Sequence, residues 1–141
     1  MKLTRITANL VGMMLFVQVI LGGLATVLRF DVIYHIVWGV LSFAVLIIAT
    51  VLAVRQYGSK STLFRVGIAA TVDFVIQGVL GLIALGSDPA VVVHLTNAFL
   101  LAVFVTYFIS FADSAEKAST SLHSQTPSVG PGSARSLSQR S

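Results

Sequence analysis

The stretch QVILGGLATVLRFDVIYH at residues 18–35 recurs 59 positions later as QGVLGLIALGSDPAVVVH at residues 77–94. No gap is needed to align the two. Gln18 falls on Gln77, Leu21 on Leu80, Gly22 on Gly81, Ala25 on Ala84 and His35 on His94. Apolar residues coincide easily in a chain this greasy, but Gln, Gly and His held in one register do not. Self-similarity at a fixed offset marks a duplicated structural unit. Each copy leaves one apolar run, crosses a short polar break and enters a second run bearing the histidine. The breaks are Arg29-Phe30-Asp31 and Gly86-Ser87-Asp88-Pro89, both so short that the flanking runs must be antiparallel neighbours.

Extending outward from the repeat, four apolar segments appear at residues 6–28, 32–54, 63–85 and 90–112, each near the ~20 residues needed to cross a bilayer as a helix. None alternates polar and apolar residues as a barrel strand does, which leaves helices as the way to satisfy the backbone in lipid. The composition agrees. Of 141 residues, 56% are apolar and 10% charged, against about 25% charged in soluble domains. The mean hydropathy is +0.94. The expected fold is therefore an all-α membrane protein: a four-transmembrane-helix bundle, residues 1–112, made of two tandem helical hairpins related by pseudo-twofold symmetry. The N-terminal run continues past 20 residues, too long for a cleaved leader, and reads as a retained helix. Pro89 fits the first turn of the fourth helix, with Ser87 or Asp88 as its cap.

The net charge of +4 does not point to nucleic acid, because the basic residues edge the apolar spans. Lys2, Arg5, Arg55, Lys60 and Arg65 lie at the N-terminus and around the middle connection, against Arg29 alone on the other side. That asymmetry places both termini in the cytoplasm of a multi-pass cell-membrane protein. From Asp113 onward Ser, Thr, Gly and Pro dominate, so residues 113–141 are expected to form a disordered cytoplasmic tail, His123 included. The chain has no cysteine, which excludes a disulfide framework, a thiolate metal site and covalent c-type haem attachment.

Ionisable groups inside a membrane helix are costly and generally functional. Two tandem copies of one hairpin set equivalent residues at equal depth on opposite sides of the bundle axis. His35 and His94 would thus face one another about 6–8 Å inside the helix ends, at ~1.5 Å per residue from the turns. A flat metal cofactor between them could take one imidazole on each face. Proton transfer and helix-packing hydrogen bonds are the competing readings. With no Asp, Glu or Cys beside them, zinc is disfavoured, since it takes three or four protein ligands.

Gln18 and Gln77 on the first helix of each pair suit either polar contact between helices or a cofactor contact. Gly22, Gly23 and Gly81 leave room for a neighbouring backbone or a porphyrin face. Arg29 is placed to pair with propionates at the membrane surface, or simply to snorkel. Tyr34 and Trp38 read as interfacial or core aromatics. Asp73 breaks the repeat, aligning with Met14, and is either a proton-relay group or a neutral hydrogen-bonded side chain.

The stretch Gln18-Val-Ile-Leu-Gly-Gly-Leu-Ala, the following helix with His35, and the echo ending at His94 resemble the haem A synthase family. The resemblance spans roughly residues 6–112, as one four-helix half of that family's eight-helix members. It implies His35 and His94 as axial ligands of haem b, with Gln18 and Gly22 in the first-helix signature. It further implies haem O as substrate, haem A as product, a homodimer rebuilding the two-site arrangement, and work beside a haem O synthase or cytochrome oxidase. Val32 and Ile36 stand where the family's catalytic half carries Glu and Arg, and Thr26 stands where an Arg often follows. The outer-loop cysteine pair is missing. Asp31, four residues before His35, is the nearest acid to replace the glutamate.

Overall fold

The computed structural model describes residues 3–29 and 31–124, with side chains to residue 121. The described residues form four helices: α1 (Leu3–Val27), α2 (Val32–Tyr57), α3 (Thr62–Ala84) and α4 (Asp88–Ser124). Each is long and apolar enough to cross a membrane. The 23 residues of α3, the shortest, rise about 35 Å and so exceed the ~30 Å hydrocarbon core. Large apolar side chains point outward along every helix: Phe16, Val40, Leu82 and Phe99 are all more than half exposed, Phe99 by 77%. A helix apolar on all faces needs lipid as its solvent.

The α1–α2 and α2–α3 connections carry side-chain caps. The Asp31 carboxylate accepts the Ile33 N–H at 2.9 Å, and the Ser61 hydroxyl accepts the Phe64 N–H at 3.2 Å. Gly58 ends α2 with φ of 82°, a left-handed conformation in which glycine carries no Cβ penalty. Pro89 lies in the first turn of α4.

α4 does not stop at Ala112. It continues through residues 113–124, which composition alone placed in the tail, and His123 falls in its last turn. An ion cluster holds the extension. Arg5 of α1 reaches Asp113 at 3.1 Å and Glu116 at 3.6 Å, while Lys117 pairs with Asp113 at 2.7 Å one turn away. Residues 125–141 lie outside the described residues.

α1 packs on α2 and α3 on α4 within the hairpins, while α2–α3 and α1–α4 contacts close the ring. The second and fourth helices are therefore diagonal. The core is confined to one end. Ala8, Val11, Leu46, Ala49, Ala53, Ala70, Val105 and Phe108 are buried near the termini and the α2–α3 connection. Along residues 12–38 and 74–100, the half holding both hairpin turns, no described residue is fully buried.

At the tight end small residues let the helices meet. Gly67 is buried, and a Cβ there would lie 2.8 Å from Thr50 Oγ1 and 3.0 Å from Phe108 Cε2. Gly67→Val should therefore destabilise the bundle by about 1–3 kcal/mol through overpacking. Unfolding in detergent measures this, and an unchanged midpoint would contradict the packing described.

Candidate functional site

The loosely packed half contains the repeat, and there the symmetry extends to individual atoms. His35, in the first turn of α2, directs Nδ1 at the backbone carbonyl of Gln18 at 3.1 Å. His94, in the second turn of α4, directs Nδ1 at the carbonyl of Gln77, also at 3.1 Å. A carbonyl only accepts, so each Nδ1 carries the proton and donates it. Each Nε2 then presents its lone pair. The amide nitrogen of Gln18 donates to His35 Nε2 at 3.2 Å, and that of Gln77 lies 3.4 Å from His94 Nε2. Both imidazoles are thus fixed in the tautomer whose Nε2 is free to bind a metal once the glutamine amide moves aside.

The paired glycines serve the rings themselves. A Cβ on Gly22 would sit 3.0 Å from His35 Cε1, and one on Gly81 would sit 3.0 Å from His94 Cε1. Each imidazole lies against the bare backbone of its hairpin partner helix. Gly23 has open space where its Cβ would be and shares no such contact.

The two rings meet across the bundle with centroids 6.3 Å apart and planes at 78°. Two metal–nitrogen bonds of about 2 Å plus half a ring at either end give a centroid separation of about 6 Å for two imidazoles on one metal. The observed centroid separation matches that distance, with each Nε2 turned to the glutamine amide of its own hairpin. Among the described residues no group of three or more His, Cys, Asp or Glu comes together.

Arg29 and Asp31 are not hydrogen-bonded to the pair. Arg29 is exposed in the α1–α2 turn, with φ of 52°. Asp31 is exposed and spends its carboxylate on the α2 cap.

Asn97, which sequence reasoning did not single out, lies behind His94. Asn97 donates to Gln77 Oε1 at 2.9 Å, and Gln77 Nε2 also donates to the His94 carbonyl at 3.0 Å. Asp73, on the same helix as Gln77, is 5% exposed, and its Oδ2 has no partner among the described residues. In the first hairpin the position equivalent to Asn97 is Trp38, whose indole N–H donates to the Met14 carbonyl at 2.9 Å. Gln18 Oε1 is buried there without a partner among the described residues. Gly39 makes room for that amide, since a Cβ would lie 2.9 Å from Gln18 Nε2. The signal in the sequence was the 59-residue alignment itself, in which Trp38 and Asn97 stand opposite as a mismatch.

No protein-family model, curated protein or solved structure matches the chain.

Proposed function

We propose that this chain is a haem-binding integral membrane protein in which His35 and His94 ligate one iron from opposite faces. The observation that carries the reading is the pair of imidazoles with centroids 6.3 Å apart, each held by its own Gln and Gly, in the half of the bundle where no described residue is fully buried. Haem b bound there would supply one-electron chemistry. The chain would hold both imidazoles by their Nδ1 protons, exclude water with the apolar faces of four helices, and keep both termini cytoplasmic.

The Gln-Gly-His signature favours a half-length relative of haem A synthase, acting in haem A biosynthesis and cytochrome oxidase assembly. A homodimer would restore two haem sites, and a haem O synthase or the oxidase would be the natural partner. The reaction is oxidation of a haem O methyl group to the formyl of haem A. It balances as loss of four electrons and four protons to outside acceptors, with one oxygen taken from water.

A second reading, a non-catalytic b-type cytochrome, has its own support. Val32 and Ile36 occupy the positions of the family's Glu and Arg, and the nearest acid, Asp31, is engaged in capping. Co-expression with a source of haem O separates the two. Haem A in the chromatographed extract establishes the oxidation; unaltered haem O with a reducible b-type spectrum establishes the carrier. A colourless protein contradicts both and leaves a proton-moving role for the histidines.

A further inference from the structure

The duplication is close to symmetric at the imidazoles but not in the amides that cover them. With Nδ1 carrying the proton, each ring offers one lone pair, at Nε2, and that atom meets a glutamine nitrogen. Gln18 Nε2 lies 3.2 Å from His35 Nε2, and Gln77 Nε2 lies 3.4 Å from His94 Nε2. Whatever is to bond either Nε2 must first move the amide aside. How readily each amide moves depends on the other hydrogen bonds it makes.

Gln77 is held at both ends. Its Oε1 accepts from Asn97 at 2.9 Å, and its Nε2 also donates to the His94 carbonyl at 3.0 Å. Reversing that amide would set oxygen against oxygen at the carbonyl and nitrogen against nitrogen at Asn97, so its orientation is fixed. Gln18 has neither support. Among the described residues its amide hydrogen-bonds only to His35, and its Oε1 is buried without a partner. Trp38 stands where the second hairpin has Asn97, and its indole N–H is committed to the Met14 carbonyl. A buried acceptor without a donor is destabilised. Rotating the Gln18 amide therefore gives up one hydrogen bond and can relieve that penalty, whereas rotating Gln77 gives up three.

We propose that Asn97 and Gln77 form a latch over His94, so that His35 is the first of the pair to expose its lone pair. Asn97 is a positioning residue, since it acts on His94 only through Gln77. For a haem iron His35 is then the entry ligand and His94 the second to engage; that consequence rests on the haem reading above.

The test takes the purified full chain in detergent and a small electrophile, diethyl pyrocarbonate, which acylates a neutral imidazole at its free lone pair. Mass spectrometry of the peptides follows each histidine separately. Each neutral hydrogen bond that must break lowers the exposed fraction by about 2–10-fold. Both histidines are half-buried, so the two further bonds of Gln77 should make His35 react at least about fourfold faster than His94. Asn97→Leu should speed His94 by about 2–10-fold and leave His35 unchanged, whereas a general loosening of the bundle would speed both. Rapid mixing with hemin is the second arm: wild type passes through a five-coordinate, high-spin species before turning low-spin, and N97L shortens that passage by the same factor. An unreactive His35, equal rates at the two histidines, or an N97L protein in which His94 is unchanged or both histidines speed up together would overturn the latch. Labelling in the expected order by a chain that takes up no hemin upholds the latch and overturns the haem reading. Hemin uptake with equal labelling does the reverse.

Discussion

A chain carrying both His35→Ala and His94→Ala takes up no hemin, with affinity reduced by more than about 100-fold, beyond the 10–100-fold typical of losing a single supporting contact. Its helical content should stay unchanged. The imidazoles stand in the half of the bundle where no described residue is fully buried, while Phe108, Leu46 and their neighbours hold the other end together. Circular dichroism and hemin titration on the same sample separate ligand loss from unfolding. A folded double variant that still gives the wild-type low-spin spectrum would remove both histidines from the metal.

The second large effect is expected from a residue that never touches a ligand. Gly81→Val puts a Cβ 3.0 Å from His94 Cε1 and two methyl groups beyond it, so the ring must leave the Gln77 carbonyl. Overpacking of this kind costs about 1–3 kcal/mol. Loss of the Nδ1 donation should weaken hemin binding by about 10–100-fold, as for other contacts behind a metal ligand. Gly22→Val should disturb His35 in the same way, since its Cβ would meet His35 Cε1 at the same 3.0 Å. Gly78→Val is the control: it is exposed and has open space at the Cβ position, so its hemin affinity should match wild type. Equal behaviour of Gly78→Val and Gly81→Val would show that the glycines do not seat the imidazoles.

Much of this architecture is legible in the amino-acid sequence, for a physical reason. A transmembrane helix needs a long apolar run, so its limits stand out against short polar turns. Gln and His inside such runs are conspicuous because lipid penalises them. The same logic fails beyond Ala112. Residues 113–124 carry no apolar stripe, and what keeps them helical includes an ion pair between Arg5 of the first helix and Asp113 of the last. No local pattern announces it.

The glycines show a different limit. Gly22, Gly23 and Gly81 look alike in sequence, yet only Gly22 and Gly81 back an imidazole. Which face a glycine opens depends on how one helix is rotated against its partner. The asymmetry behind the histidines was half visible. Asp73 opposite Met14 stands out as an ionisable group in an apolar run, but Asn97 opposite Trp38 matters only once Asn97 is seen to hold Gln77 while Trp38 bonds the Met14 carbonyl.

Stoichiometric hemin titration of the purified chain tests the facing pair of imidazoles most directly. One hemin per chain, with a low-spin spectrum whose Soret band shifts on reduction, is the predicted result. No Soret band, or a hemin shared between two chains with one histidine from each, would contradict it.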